Sequence, residues 1–237
     1  SASYNGNTVE TSTPLNEDGK LVLYTFNDKD GKKALWHSAA HLMAQAILKF
    51  YPKAKLTIGP PIDQGFYYDI DFGDKQVNQD DLSRIENKII EMARKKSEFE
   101  RKHVSKKEAL SFYKEKGNEY KVELIEDLED GNITFYTQGG FTDLCRGPHI
   151  PNTKDVKSVK LTSLAGAYWR GDSDNQQLTR IYGISFPKQK MLDEHLERIE
   201  EAKKRDHRKL GKELGIYMID NMVGSGLPMW LPNGTVL

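Results

Sequence analysis

Apolar positions recur at helical spacing in the first half of the chain. Over residues 35–50 they form one stripe that Pro52 ends, and this pattern predicts a helix. A second stripe over residues 80–96 predicts another helix. A capping pattern that begins at Ser105 predicts a third, which Gly117 should close.

Alternation of apolar and polar residues predicts strands elsewhere. In residues 65–72, every second side chain is apolar, which indicates a strand with one buried face. Further short strands are predicted at 21–26, 122–125, 133–137, 156–162 and 178–186. Helices followed by pairs of strands indicate an α+β fold, in which helices pack on an antiparallel sheet in two layers.

The pattern changes after Pro187. Sparse apolar positions in a highly charged stretch predict one long linker helix over residues 187–215, with basic residues concentrated at 203–212. Such a charge run is most often a solvated face. Residues 216–237 are too few to fold alone, and we expect them to be the start of a further domain. The polar stretch before residue 21 is expected to be the end of a preceding domain.

Composition limits the kind of protein. The 237 residues carry 35 basic and 35 acidic side chains, so the chain has no net charge. This balance argues against a protein that binds nucleic acid over its whole surface, but it allows a local basic face. The single cysteine excludes an internal disulfide and is typical of a reducing compartment. No apolar run has the length of a membrane span, so we expect a cytoplasmic protein without a membrane partner.

Two short stretches carry the candidate chemistry. Each places two nitrogen- or sulfur-bearing side chains four positions apart: His37 with His41, and Cys145 with His149. Three imidazoles and one thiol, brought together, can position water, bind a metal ion or do both. Zinc proteases with a similar histidine pair need a glutamate beside the first histidine, and Ser38 occupies that position here, so this class is disfavoured.

Motifs along nearly the whole chain resemble those of threonyl-tRNA synthetases, in the region of their N-terminal editing domain. They occur in the family's order at 37–42, 65–69, 143–149, 167–173 and 205–211. The resemblance implies a tail of the ubiquitin-like (TGS) domain at 1–31 and an editing domain at 32–186. It further implies a linker helix at 187–215 and the start of a truncated class II catalytic domain at 216–237.

The resemblance also implies a function. A synthetic site for threonine cannot strongly reject serine, because one missing methyl group is worth only ~1–3 kcal/mol of binding. A second site then hydrolyses the ester of serine mischarged on tRNA(Thr). The chain is thus expected to be an aminoacyl-tRNA ester hydrolase within a threonine–tRNA ligase, lacking the aminoacylation site.

The family's editing positions supply the expected site residues. His37 is the expected base that holds the attacking water, with His149 as its alternate. Lys121 is expected to stabilise the oxyanion or protonate the leaving oxygen, and Asp143 to bind the seryl ammonium or hydroxyl. The expected catalytic residues are His37, His41, Lys121 and His149, and the expected substrate-binding residues are Tyr68, Asp143 and Cys145.

The expected partner is the 3′ end of tRNA(Thr) carrying serine. We expect no metal in this chain, and zinc held by His37, His41, Cys145 and His149, as in the similar alanyl editing domain, is the disfavoured alternative. ATP, magnesium and zinc are expected only in the absent catalytic domain. That domain is also expected to make the full-length enzyme a homodimer, whereas this fragment is expected to be a monomer.

Two alternative functions remain at this point. One is a module that binds the tRNA acceptor end through the basic run at 203–212, without hydrolysis. The other is a freestanding zinc-dependent hydrolase of the alanyl trans-editing type. The linker helix and the start of a synthetase domain argue against the second alternative.

Overall fold

A computed structural model describes residues 1–10, 13–220, 224 and 226–235 of the chain. The helices are α1 Lys29–Phe50, α2 Gln79–Ala93, α3 Lys106–Glu115, α4 Glu119–Glu126, α5 Gln189–Lys204 and α6 His207–Glu213. The strands are β1 Ala2–Tyr4, β2 Asn7–Val9, β3 Leu21–Leu23, β4 Lys55–Leu56, β5 Pro61–Ile62, β6 Gly65–Asp71, β7 Glu100–His103, β8 Thr134–Gln138, β9 Phe141–Leu144, β10 Ser158–Tyr168, β11 Gln177–Phe186, β12 Tyr217–Ile219 and β13 Pro228–Trp230.

An antiparallel sheet with the strand order β10-β11-β6-β4 forms the centre of the fold, and β5 also pairs with β6. Helix α1 packs against β6 and β11, and α2 packs against both α1 and β10. The predicted α+β class, with helices on an antiparallel sheet, is therefore confirmed. A small separate sheet with the order β2-β1-β3 precedes α1.

Strand β6 is covered on both faces rather than on one. Phe66, Tyr68 and Ile70 are buried as the alternation predicts. On the other face, the carboxylate of Asp69 accepts two hydrogen bonds from the guanidinium of Arg180 on β11, at 2.6 and 2.7 Å. This bidentate pair allows an acidic residue to be buried at a position that the pattern indicates as exposed.

A second sheet, β7-β8-β9, packs with α3 and α4 around its own apolar core. The buried members of this core are Val104, Ala109, Tyr113, Ile125, Ile133 and Phe135. Strand β9 was not predicted, and it directly precedes the loop that carries Cys145. The turn at residues 139–140 joins β8 to β9, so the two glycines there mark a hairpin rather than the end of a strand region.

The strand predicted at 122–125 is wrong, because these residues lie within α4. The side chain of Asn118 caps this helix by accepting a hydrogen bond from the backbone N–H of Lys121. Lys121 and Ile125, one turn apart, are both buried on the same face. The helix therefore directs a lysine inwards, which a short apolar run of residues does not reveal.

Helix α1 begins at Lys29, six residues earlier than the apolar stripe predicts. The carboxylate of Asp28 accepts hydrogen bonds from the backbone N–H and the hydroxyl of Thr25, which shapes the turn before the helix. Gly31 then passes so close to Thr25 that a Cβ atom would lie 1.9 Å from its carbonyl oxygen. The first turns of α1 are thereby fixed by contacts rather than by hydrophobic periodicity.

The single linker helix predicted over 187–215 is also wrong. Helix α5 ends at Lys204 and α6 begins at His207. Between them, Asp206 leaves the helical conformation (φ −57°, ψ 119°), and its side chain accepts hydrogen bonds from the backbone N–H groups of Arg208 and Lys209. An aspartate that caps a new helix in this way interrupts the old one.

The chain divides into two compact units, residues 1–189 and 190–237. The domain limits expected from the family resemblance remain predictions. Residues 11, 12, 221–223, 225, 236 and 237 lie outside the described residues, so the predictions for the N-terminal lead-in and for 216–237 are covered only in part. Among the described residues, no helix combines the length and the hydrophobicity needed to span a bilayer.

Candidate active site

A cavity of about 620 Å³ in the first unit brings the predicted site residues together. Six of the seven line it: His37, His41, Tyr68, Lys121, Asp143 and Cys145. The seventh, His149, lies behind Cys145 and is 2% exposed. Most of the remaining lining residues are apolar, so the cavity combines apolar walls with several polar groups.

The thiol of Cys145 lies at the centre of the histidine cluster. Its Sγ atom is 3.2 Å from Nε2 of His37 and 3.3 Å from Nε2 of His149, and it accepts a hydrogen bond from the N–H of Gly147. One potential ligand atom from each of the three histidines and the cysteine lies within 4.8 Å of all the others. The two stretches singled out in the sequence therefore form one site.

Helix α1 and the loop after β9 supply the two halves of the cluster. His37 and His41 project from one face of α1, with ring centroids 5.1 Å apart. In the loop, Gly147 adopts φ +74°, and a Cβ atom there would lie 2.3 Å from the hydroxyl of Tyr136. The ring of Phe99 stacks on His149 at 4.5 Å, which fixes the far side of the imidazole.

Burial keeps the cluster uncharged. It lowers the pKa of His37 to about 4 and that of His41 to about 3, and it also lowers the pKa of His149 well below the ordinary value. The same burial raises the pKa of the Cys145 thiol to about 12. At neutral pH the site therefore holds three neutral imidazoles and a protonated thiol, so each ring has one nitrogen lone pair.

Asp143 is the centre of a second polar group in the cavity. Its carboxylate forms an ion pair with Lys121 at 2.6 Å and accepts hydrogen bonds from the hydroxyls of Tyr68 and Tyr113 at 2.5 and 3.0 Å. The backbone N–H of Leu144 donates to it as well, at 2.9 Å. Burial is the largest single influence on Asp143 and opposes its charge, but the ammonium of Lys121 and the hydrogen bonds to the carboxylate together outweigh it, so the pKa of the carboxyl lies below its usual range.

This geometry bears on the role expected for Asp143. Oδ1 contacts the ammonium of Lys121 and the hydroxyl of Tyr113, whereas Oδ2 contacts only the hydroxyl of Tyr68 and so keeps one lone pair. Asp143 also holds the ammonium of Lys121 and the hydroxyl of Tyr68 in fixed positions. Asp30 is another carboxylate that lines the cavity, and it forms no ion pair with any other described residue.

Several residues of the site were missed in the sequence. Asp30 and Lys33 line the cavity because α1 begins early and places them on the same face as His37. Helical spacing would have indicated them had the start of the helix been known. Glu10 accepts hydrogen bonds from the Tyr136 hydroxyl at 2.6 Å and from the N–H of His149 at 3.3 Å, and no sequence signal indicates it.

The donor set of the cluster also suits a metal ion. Three imidazoles and one thiol are ligands that zinc prefers, and the four donor atoms are close enough to converge on one ion. His37, His41, Cys145 and His149 would hold it. A zinc ion held by all four would be a closed structural site, whereas one held by three of them would leave a position for a water molecule and lower its pKa.

Part of the chain, including part of the site, is similar to a known family of domains. Residues 133–182, which include β8, β9, the Cys145 loop and most of the β10–β11 hairpin, match the family described as the threonyl and alanyl tRNA synthetase second additional domain. Over this range the chain is therefore similar to this domain.

Relatives that match the whole chain include threonine–tRNA ligases. The chain is 60% identical to the threonine–tRNA ligases of Flavobacterium johnsoniae and Flavobacterium psychrophilum over 237 residues, 100% of the chain and 36% of each relative. It is 55% identical to that of Parabacteroides distasonis over 236 residues, again 100% of the chain and 36% of the relative. The resemblance to threonyl-tRNA synthetases is thus confirmed, for a chain that spans 36% of the length of these relatives.

Proposed function

We propose that the chain is an editing hydrolase that cleaves the ester between serine and the terminal adenosine of tRNA(Thr). The observation that carries this proposal is that one cavity is lined by both a neutral imidazole, His37, and a buried ammonium group, Lys121. Ester hydrolysis needs a group that accepts a proton from water and a group that stabilises the resulting oxyanion. His37 and Lys121, which could fill these two roles, line the same cavity.

His37 fits the role of the base better than His149. Its Nδ1 lies 3.3 Å from the carbonyl oxygen of Pro148, which can only accept, so Nδ1 carries the hydrogen and Nε2 carries the lone pair. That Nε2 atom faces the cavity beside Cys145. His149 also has a low pKa, but it lies behind the thiol and does not line the cavity.

The proposed reaction balances with the groups present. A water molecule gives a proton to Nε2 of His37 as its oxygen bonds to the ester carbonyl carbon. The ammonium of Lys121, held by Asp143, stabilises the oxyanion that forms. The bond to the ribose oxygen then breaks, and that oxygen takes the proton back from His37, which releases serine and the free 3′ end.

Selection of serine over threonine is proposed to depend on Tyr68 and Cys145. The ring of Tyr68 cannot move back, because Gly59 packs against it so closely that a Cβ atom there would lie 2.2 Å from the ring. The hydroxyl of Tyr68 is also fixed, by Asp143. A rigid wall excludes a γ-methyl group by overlap, which is the double-sieve principle with the smaller product admitted.

We propose that this hydrolysis needs no metal, because a zinc ion with four protein ligands is a closed structural site, whereas a catalytic zinc keeps one position open. The zinc content of the purified protein and its hydrolysis rate after chelation test this point. Activity that a chelator removes and zinc restores would contradict the metal-free reaction.

The decisive experiment measures deacylation of seryl-tRNA(Thr) and threonyl-tRNA(Thr) by the purified protein. We expect rapid hydrolysis of the seryl ester only, and loss of that activity in the His37→Ala variant. His103→Ala is the matched control, since this histidine is exposed on β7, away from the cavity. Hydrolysis no faster than the uncatalysed background, together with salt-sensitive tRNA binding, would instead identify a binding module.

We further propose that these residues act as part of a longer threonine–tRNA ligase, as the names of the relatives indicate. In that enzyme, ATP, magnesium and the aminoacylation chemistry belong outside the present chain, as does a dimer contact. The tRNA(Thr) acceptor end is then the partner shared by the synthetic and the editing sites.

A further inference from the structure

Glu10 directly follows β2, and its side chain reaches the loop that carries Cys145. Its Oε1 atom accepts hydrogen bonds from the hydroxyl of Tyr136 at 2.6 Å and from the backbone N–H of His149 at 3.3 Å. The same oxygen lies so close to Gly147 that a Cβ atom there would be 2.7 Å from it. One carboxylate oxygen from the N-terminal segment therefore contacts the loop at two of its residues.

Strand β2 places this segment beside the cavity. It pairs with β1, which also pairs with β3, so the three strands form one small sheet before α1. Thr8 of β2 lines the cavity itself, and the sheet belongs to the same compact unit as the cavity. The position of Glu10 is thus set by a folded element.

The N–H group that Glu10 binds belongs to the peptide bond between Pro148 and His149. The carbonyl oxygen of the same peptide bond lies 3.3 Å from Nδ1 of His37. This peptide bond is trans, so its N–H and its carbonyl point in opposite directions and turn together as one plane. A carboxylate that fixes the N–H on one side therefore also fixes the direction in which the carbonyl meets the imidazole on the other.

We infer that Glu10 is a positioning residue, which orients the peptide bond between residues 148 and 149 and, through its carbonyl, the imidazole of His37. Tyr136, which is 0% exposed, holds the carboxylate in place from β8. Without the carboxylate, the N–H of His149 loses its acceptor and the plane is free to turn. The consequence for hydrolysis rests on the proposed function, whereas the orientation of the peptide bond does not.

The first test measures amide hydrogen exchange by NMR and does not depend on activity. The amide of His149 should exchange about tenfold faster in Glu10→Ala than in the parent, because it has lost its acceptor. The amide of Ile47, which lies inside α1 and is fully buried, should keep the parental rate. Unchanged exchange at His149, or equal acceleration at both amides, would overturn the inference.

The second test measures deacylation of seryl-tRNA(Thr). Glu10→Ala should lower kcat about tenfold with KM nearly unchanged, because the imidazole is misplaced whereas the groups that contact the substrate remain. Glu10→Gln keeps an acceptor oxygen at the same reach and should retain most of the parental kcat. Glu17→Ala is the matched control, since this glutamate is exposed and precedes the same helix, and it should keep the parental kcat.

Glu10→Asp decides the question if Glu10→Ala does not fold. It keeps the charge but is one methylene group shorter, so its oxygen is withdrawn from the peptide bond and kcat should again fall about tenfold. Parental kcat in Glu10→Asp, or a Glu10→Gln variant as slow as Glu10→Asp, would contradict the positioning role. A parent protein that does not deacylate seryl-tRNA contradicts the proposed function alone, because the exchange rate of the His149 amide still tests the orientation.

Discussion

The ionisable side chains of the cavity take their charge states from burial and from one another. The histidines stay neutral because charging them would cost desolvation, whereas the Asp143 carboxylate stays charged because an ammonium and two tyrosine hydroxyls surround it. A lone pair for proton transfer and a fixed positive charge are thus available at the same pH. Neither property follows from the residue types alone.

Stability should fall as the pH decreases from about 6.5 to about 4. In this window the unfolded chain binds a proton at His37, whose ordinary pKa is 6.5, whereas the folded chain has a pKa of about 4 and does not. Acid therefore favours the unfolded state, by on the order of 3 kcal/mol for His37. Denaturant unfolding at several pH values measures this, and His37→Gln should flatten the dependence. A free energy of unfolding that is equal in parent and variant at every pH would contradict it.

The Lys121–Asp143 pair should be strongly coupled. Both side chains are 3% exposed, so removing one charge leaves the other buried without its partner. We expect Lys121→Met to destabilise the fold by ~3–5 kcal/mol, and Asp143→Asn to cost less when combined with it than alone. A double-mutant cycle by denaturant unfolding measures the coupling, with Lys55→Met and Glu119→Gln as the exposed control pair. Additive effects at Lys121 and Asp143 would contradict the pairing.

Two elements that the sequence pattern misplaced decide the shape of the cavity. An early start of α1 adds Asp30 and Lys33 to the wall, and helix α4, in place of the strand predicted at 122–125, turns Lys121 inwards. Each change was caused by a local polar contact, the first at Asp28 and the second at Asn118. Hydrophobic periodicity contains no information about either contact.

The loop after β9 should tolerate no side chain at residue 147. In Gly147→Ala the new Cβ would meet the Tyr136 hydroxyl at 2.3 Å and a Glu10 carboxylate oxygen at 2.7 Å, in addition to the strain of φ +74°. We expect at least a tenfold loss of deacylation rate, because Cys145 and His149 would shift together. Gly117→Ala is the control, with φ +62° but open space around its Cβ position. It should cost ~1 kcal/mol of stability and no activity.

On the scale of the whole molecule, the basic run at 203–212 is largely balanced by its own helices. Lys203 pairs with Glu200, Lys204 with Glu201, and Lys209 approaches Glu213, all on exposed surface. Such pairs are worth little individually, but they reduce the local positive charge available to phosphates. A role of this run in binding tRNA stays a prediction.

The first unit should act without the second. All the residues of the cavity lie within 1–189, so a chain ending at residue 189 is expected to keep the parent rate on a seryl ester of adenosine. Its thermal transition should match that of the first unit in the complete chain. Binding of whole tRNA is the comparison measurement, since loss there with hydrolysis unchanged would assign the second unit to tRNA contact. A chain that folds but no longer hydrolyses the small ester would contradict the expectation.

The sequence by itself determined the α+β class, the main helices and strands, and the two histidine and cysteine stretches, because these depend on spacings of two to four residues. Only the tertiary structure decided that Cys145 meets His37 across 108 positions, that Asp143 pairs with Lys121, and that Ser38, Tyr113 and Glu10 support the site. It also decided protonation, since desolvation depends on what packs around a group rather than on its neighbours in the chain. The two stretches identified the cluster, and folding determined its charge and its geometry.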